Sequence, residues 1–256
     1  MSPGNLVRKM LDLVPKPVRR LRKYFTLPGQ ERFCPVCGKT ARGFQRAGVK
    51  SRSNARCPNC GSLERHRLFW RFLEERTNFF QSSGKRMLHV AAEPCFEPRF
   101  RKQVGSGYLT SDLFLPADVK MDVTDIQYPD DSFDIVYCSH VLEHVPDDRK
   151  AMREFHRVVR PSGWAIVLVP VFAERTIEDP SITDPQERIR LFGQQDHVRR
   201  YGPDYADRLC EAGFAVEEFK AADFLNPAEM ERIAVATPAA GSIYFCQKEA
   251  RRSPAQ

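Results

Sequence analysis

The chain has no long apolar run. The longest, Trp164 to Ala173, is interrupted by Pro170 and is about half the ~20 residues needed to cross a bilayer. Met1 to Phe25 is basic, is broken by Pro15 and Pro17, and lacks the continuous apolar core of a secretory signal. No internal repeat or low-complexity segment stands out, so a repeat architecture is not expected. Acidic residues are scarce at the front. Residues 1–56 hold fourteen Lys/Arg and two Asp/Glu, a net of +12, which leaves −5 for the rest of a chain whose total is +7. Aromatics are scarce there too. Between Arg42, Arg46, Lys50, Arg52 and Arg56 only Phe44 intervenes, too little for a platform on which bases stack. These features predict a cytoplasmic protein without a transmembrane segment, peripheral at a membrane if the basic end docks there. An anionic membrane surface or a nucleic acid is the class of partner that this end would attract.

What is present divides the chain into three. Residues 1–28 read as a basic amphipathic arm in two short pieces separated by the prolines. Residues 29–81 contain Cys34-Pro-Val-Cys37-Gly38 and Cys57-Pro-Asn-Cys60-Gly61, two C-x-x-C pairs with nineteen residues between them. That spacing suits a four-cysteine zinc site: each pair grips one ion across a tight turn, and glycine lets the backbone bend behind the second sulfur. With four sulfurs no coordination position stays open, so Cys34, Cys37, Cys57 and Cys60 are expected to hold structural Zn(2+). The remaining four cysteines read as thiols. Ser62 is the expected cap of a helix carrying Leu68, Phe69, Phe72 and Leu73 inward. Glu64, Arg65 and His66 on that helix are close enough in sequence to reach a neighbouring site.

Residues 82–250 read as an α/β domain. Arg86–Ala91, Tyr108–Asp112, Val119–Asp122, Phe133–Cys138 and Trp164–Val169 are short β-branched and aromatic runs bounded by turn residues. A helix after Ser139-His140 carries Ala151, Met152, Phe155, Val158 and Val159 on one face and stops at Pro161-Ser-Gly163. Asp112 falls about twenty residues after the first strand's loop, where a ribose-binding carboxylate stands in βαβ nucleotide sites. Val171 to Gly202 is long and irregular, the pattern of a lid over a substrate. Within it His197 is a candidate general base, since its ordinary pKa of about 6.5 suits proton removal near neutrality. Asp196 is placed to orient it, and Arg199 and Tyr201 are candidates for holding substrate.

The combination of Phe133-Asp-Ile-Val136, Val141-Leu-Glu-His-Val145 and Arg157-Val-Val-Arg-Pro-Ser-Gly163 resembles the centre of class I S-adenosylmethionine-dependent methyltransferases of the type 11 kind. The resemblance runs over roughly Lys85 to Phe219. It implies a Rossmann-like, doubly wound seven-stranded sheet whose last two strands pair antiparallel at the edge. It also implies an S-adenosylmethionine cofactor, with Asp122 and the Val123 N–H on adenine, Leu113 beside Asp112, and Ser139-His140 on the methionine portion. The chain departs from the pattern at the first loop. His89 stands where an acid is usual, and Ala91, Glu93 and Cys95 stand where glycines are usual, with Pro94 inserted. It is similar there to a subset carrying a His-Val-Ala-x-Glu-Pro loop, in which Ala91, Glu93 and Pro94 would line the cofactor and Glu93 would pair with its ammonium.

Methyl transfer is the expected reaction, with His197 or His140 as the base for a hydroxyl acceptor. O-methylation of a small molecule or glycan is the reading preferred. RNA methylation through the basic zinc module and a non-catalytic adaptor are the alternatives. Against the RNA reading, no Asn/Asp-Pro-Pro-Tyr motif for base amines occurs.

Overall fold

The computed structural model describes residues 31–48, 51–81 and 84–249. The basic arm of residues 1–28 lies outside them, as do Lys50 and the Ser82-Ser83 part of the linker. None of the helices among the described residues is long and apolar enough to cross a membrane.

Two small hairpins open the described chain. Strands β1 (Arg32–Cys34) and β2 (Lys39–Ala41) pair antiparallel, as do β3 (Gln45–Ala47) and β4 (Arg52–Arg56). Helix α1 (Glu64–Arg76) follows. Then come β5 (Met87–Val90), α2 (Glu97–Val104), β6 (Tyr108–Asp112), β7 (Val119–Lys120), β8 (Phe133–Ser139), α3 (Asp148–Val158) and β9 (Val159–Leu168). The chain continues through β10 (Ile177–Glu178), α4 (Pro185–Phe192), β11 (Arg199–Arg200), α5 (Tyr205–Glu211), β12 (Ala215–Phe219), α6 (Pro227–Arg232) and β13 (Ile243–Gln247).

Seven strands form one sheet in the order β12-β13-β9-β8-β5-β6-β7. Strands β5 to β9 run parallel, and β13 lies antiparallel between β9 and β12. Alternation along each strand splits the core into two layers. Met87, Ile135, Tyr137 and Ile166 face α1 and α2. Leu88, Val90, Val136, Cys138, Ala165 and Val167 face α3 and α5. This is the doubly wound arrangement, with ligand loops at the carboxyl ends of the parallel strands.

Helix α1 packs on the sheet itself. Phe69 stacks on Tyr137 at 4.1 Å between ring centroids, and Phe72 meets Phe219 and Phe245 at 5.2 and 5.5 Å. Arg67 is fully buried behind it. Its guanidinium donates to the carbonyls of Ala55, Ser62, Ile233 and Ala234 and lies 4.3 Å over the Phe44 ring. One cation thus ties the second hairpin, the turn before it, α1 and the segment after α6 together.

Several boundaries differ from the sequence expectation. The third strand ends at Lys120, so Met121 and Asp122 lie beyond it. Strand β9 starts at Val159 and runs through Pro161 to Gly163, because Gly163 passes so close to the Asp134 carbonyl that a Cβ would sit 2.8 Å from it. Ser62 does not cap α1. Leu63 occupies that position, and its N–H donates to His66 Nδ1 at 3.0 Å.

Candidate active site

Cys34, Cys37, Cys57 and Cys60 come together with their sulfurs within 4.8 Å of one another. The Cys34–Cys60 and Cys37–Cys57 sulfur separations are 3.6 and 3.9 Å. Four thiolates around one ion at bonds of about 2.3 Å would lie ~3.8 Å apart, so this donor set fits a tetrahedral zinc. Each pair is closed by the following glycine, Gly38 at φ 67° and Gly61 at φ 78°, whose N–H donates to the Cys34 or Cys57 carbonyl at 2.8 or 2.9 Å. Ser62 Oγ lies 3.1 Å from Cys34 Sγ and 3.3 Å from Cys60 Sγ. The cluster therefore ends where α1 begins.

Three residues into α1, His66 reaches the loop after β5. With Nδ1 accepting from Leu63, its Nε2 carries the proton and faces Glu93 Oε1 at 3.5 Å. His89 Nε2 donates to Glu93 Oε2 at 2.9 Å, while Tyr108 O–H bonds to His89 Nδ1 at 2.7 Å. Tyr137 O–H adds a longer contact to Glu93 at 3.4 Å. Burial opposes ionisation of Glu93, but the His66 and His89 imidazoles beside it outweigh that and hold the carboxyl well below its usual range. His89, in the place of the usual acid, is buried, and with the partly buried Glu93, in the place of a glycine, it forms a single pair that shapes this loop. His66 was the partner that sequence left open, and Glu64 instead binds Arg52 at 2.9 Å.

Two non-glycine residues at the carboxyl ends of neighbouring strands adopt a left-handed backbone: Ala91 at φ 49° after β5 and His140 at φ 56° after β8. Such strain collects at functional sites. It also yields a test. Replacing Ala91→Gly relieves a penalty of about 1–2 kcal/mol, offset by glycine's larger unfolded-state entropy. A net gain of about 0.5–1 kcal/mol is expected, read as a higher Tm. A lower Tm would show that the methyl of Ala91 packs usefully in this loop.

Beyond the loop the polar groups line up along the strand ends. Asp112 closes β6. Its Oδ1 accepts the N–H groups of Phe114 and Leu115 at 2.8 Å each, and Oδ2 has no partner among the described residues. Leu113 lies beside it, half-buried. Asp122 Oδ1 accepts from the Thr124 N–H and O–H at 2.8 Å each, and Val123 is buried. Pro94 is exposed. Ser111 and Ser139, at the ends of β6 and β8, are buried with unpartnered hydroxyls, the kind of orphan a bound polar ligand satisfies.

A cleft of about 540 Å³ opens past the ends of β8 and β9, lined by His140, Arg65, Leu168, Val169 and Pro170 and closed from the far side by residues 235–242. His140 Nδ1–H donates to the Glu143 carboxylate at 3.2 Å, and Glu143 is 2% exposed. The pair is a histidine oriented by a buried acid, the arrangement that suits proton transfer.

The segment 171–202 is anchored to the opposite side of this motif. Arg199 donates to the carbonyls of Leu142, Val145 and Pro146 and to Glu178. Tyr201 O–H donates to Asp148 at 2.6 Å, and Arg208 bridges Asp148 and Glu178. Arg199 and Tyr201 are therefore buried structural groups, not substrate holders, because all their polar atoms are committed inside. His197 is 5% exposed and does not line the cleft. Its Nδ1–H donates to the Phe192 carbonyl at 3.1 Å, and burial lowers its pKa. Asp196 does not orient it; its carboxylate accepts from His144 Nδ1 at 3.2 Å. Of the two candidate histidines, His140 is the one that lines the cleft.

Residues 85–167 match the methyltransferase domain family model. The ubiquinone/menaquinone biosynthesis C-methyltransferase of Bdellovibrio bacteriovorus is 35% identical over 96 residues, covering 28% of this chain and 41% of that protein. The malonyl-[acyl-carrier protein] O-methyltransferase of Halorhodospira halophila is 33% identical over 101 residues, covering 39% and 32%. The chain thus spans less than half the length of either. A solved S-adenosylmethionine-dependent methyltransferase from Mesorhizobium loti superposes with a TM-score of 0.47 at 18% identity, over 70% of this chain and 95% of that one. The matching segment, 85–167, supplies β5 to β8 and nearly all of β9.

Proposed function

We propose that the chain is a methyltransferase that uses S-adenosylmethionine to methylate a hydroxyl group of a small molecule or glycan. The observation that carries this reading is His140, oriented by the buried Glu143, on the wall of a cleft at the carboxyl ends of β8 and β9, with the unpartnered Ser139 hydroxyl one residue before it. The cleft volume falls in the range of small-molecule sites.

S-adenosylmethionine supplies a methyl group already activated as a sulfonium. The residues then have three tasks. Asp112 Oδ2 accepts the ribose hydroxyls, while its Oδ1 is fixed by the turn N–H groups and so presents the carboxylate in one orientation. Asp122 and the Val123 N–H stand at the next strand end for adenine. The Ser139 hydroxyl and the turn at His140 face the amino-acid end. His140 takes the acceptor's proton through the imidazole nitrogen not bonded to Glu143, and the Glu143 carboxylate stabilises the imidazolium that results. In-line alignment of donor and acceptor provides most of the remaining acceleration. Glu93 has both carboxylate oxygens turned to His66, His89 and Tyr137, so its contribution to the cofactor is to set the loop.

The four-cysteine cluster is assigned to structural zinc on the same footing, from its sulfur spacing.

Asp112→Ala tests the cofactor assignment. A charged hydrogen bond of this type contributes about 1.5–3 kcal/mol. Affinity for S-adenosylhomocysteine should fall roughly 10- to 150-fold in equilibrium titration, a conversion at 1.4 kcal/mol per decade. Unchanged affinity would remove Asp112 from the site.

A further inference from the structure

Behind His140 lies a second cluster that the methyl-transfer reading does not use. Glu143, His144 and His197 bring one ligand atom each within 4.8 Å of one another. Glu143 Oε2 and His197 Nε2 are buried atoms with no hydrogen-bond partner, on side chains 2% and 5% exposed. Each member already has its other polar atom fixed. Glu143 Oε1 accepts from His140 Nδ1 at 3.2 Å. His197 Nδ1–H donates to the Phe192 carbonyl at 3.1 Å. His144 Nδ1 donates to the Asp196 carboxylate at 3.2 Å. The His144 and His197 rings lie edge to face at 4.7 Å between centroids.

We propose that Glu143, His144 and His197 form a binding site for a divalent transition-metal ion. Two neutral imidazoles and one carboxylate are a donor set for zinc, manganese, iron or cobalt. In metal sites the second nitrogen of a ligating histidine is held by a carbonyl or carboxylate, which fixes the tautomer and aims the free nitrogen at the ion. Phe192 and Asp196 do this here. The ion would also neutralise a carboxylate oxygen buried without a partner, which protein interiors otherwise avoid. Adjacent ligands on one ion with bonds of ~2.1 Å lie about 3.0–3.4 Å apart. His144, a third exposed, has the room to close that distance. Three protein ligands leave further positions open, in contrast to the four-sulfur cluster. An ion there would share Glu143 with His140 and so, from behind the cleft wall, set the charge and orientation of that imidazole. This last role rests on the methyl-transfer reading; the binding itself does not.

The test uses Mn(2+), which thiolate-rich sites disfavour. Full-length protein carrying zinc in its cysteine cluster is titrated with MnCl2, and free ion is counted from its room-temperature paramagnetic resonance spectrum. The expected result is one Mn(2+) bound per chain, weakened at least tenfold in both Glu143→Gln and His197→Ala. Glu143→Gln is isosteric, so it keeps the test valid if His197→Ala misfolds. No uptake by the wild-type protein would overturn the proposal and assign the Glu143 oxygen to a protonated His197 instead. Uptake unaltered by Glu143→Gln would equally overturn it. S-adenosylhomocysteine titration of the same samples separates the two readings: manganese uptake without cofactor binding removes methyl transfer and leaves the metal site.

Discussion

Removing the metal from the four-cysteine cluster, by chelation or by Cys57→Ser, is expected to lower the Tm by more than about 10 °C and to weaken cofactor binding at least about tenfold. Structural zinc contributes on the order of 10–16 kcal/mol in small domains that fold around it, comparable to the whole stability of an ordinary domain. The effect cannot stay local. The Cys57 N–H bonds to the Ser62 carbonyl at 2.8 Å, and the same carbonyl accepts from Arg67 at 3.0 Å. Arg67 reaches on to the carbonyls of Ile233 and Ala234, next to the 235–242 wall of the cleft. One residue earlier in the chain, His66 faces Glu93 in the cofactor loop. Loss of the cluster frees the start of α1 and releases both. The check is a thermal melt and a cofactor titration on the same zinc-depleted sample. A protein that keeps its Tm and affinity without zinc would make the hairpins an independent appendage.

The second large effect is expected at Asp148. This residue is 3% exposed and accepts from Tyr201 at 2.6 Å and from Arg208 at 3.0 Å, with Arg199 Nε 3.6 Å away. Asp148→Ala leaves two buried guanidinium groups sharing Glu178 alone. Breaking a buried ion pair from one side costs about 3–5 kcal/mol, and Glu178 places this case near the lower end. At roughly 2–4 °C per kcal/mol for a chain of this size, the Tm should fall by about 10 °C. Glu178 adds a pH dependence. Its hydrogen bond from Arg208, with that from Arg199, lowers its pKa from 4.5 to about 2. A carboxylate depressed in the folded state stabilises fully above its unfolded pKa and loses that contribution as pH falls through the folded one. The network should therefore hold at neutral pH and weaken between pH 4.5 and about 2. Denaturant melts across that window check it, and a wild-type stability that is flat there would contradict the assignment.

The parallel sheet was readable because strands β5, β8 and β9 are contiguous β-branched or aromatic runs bounded by turns, and the antiparallel β12–β13 edge followed from the family resemblance. The cysteine pairs were readable because their spacing is local. What sequence missed has one physical cause: partners far apart in the chain. Glu93 meets His66 across 27 positions and Asp148 meets Arg208 across 60, and nothing periodic announces either pair. Arg199 and Tyr201 read as polar residues of a lid, yet tertiary bonds turn them inward. The spacing of Tyr201 from Tyr205, whose rings meet at 4.9 Å, was an available sign of burial. His197 has the chemistry of a base, but accessibility, which sequence does not give, buries it and leaves His140 on the cleft.

The most direct test is calorimetric titration of the zinc-loaded protein with S-adenosylmethionine and S-adenosylhomocysteine. Both are expected to bind at one site per chain, with micromolar affinity, about −8 kcal/mol. Absence of binding for both ligands would mean that the Ala91–Cys95 loop, held shut by Glu93, excludes the cofactor, and the fold would then serve as an adaptor without catalysis.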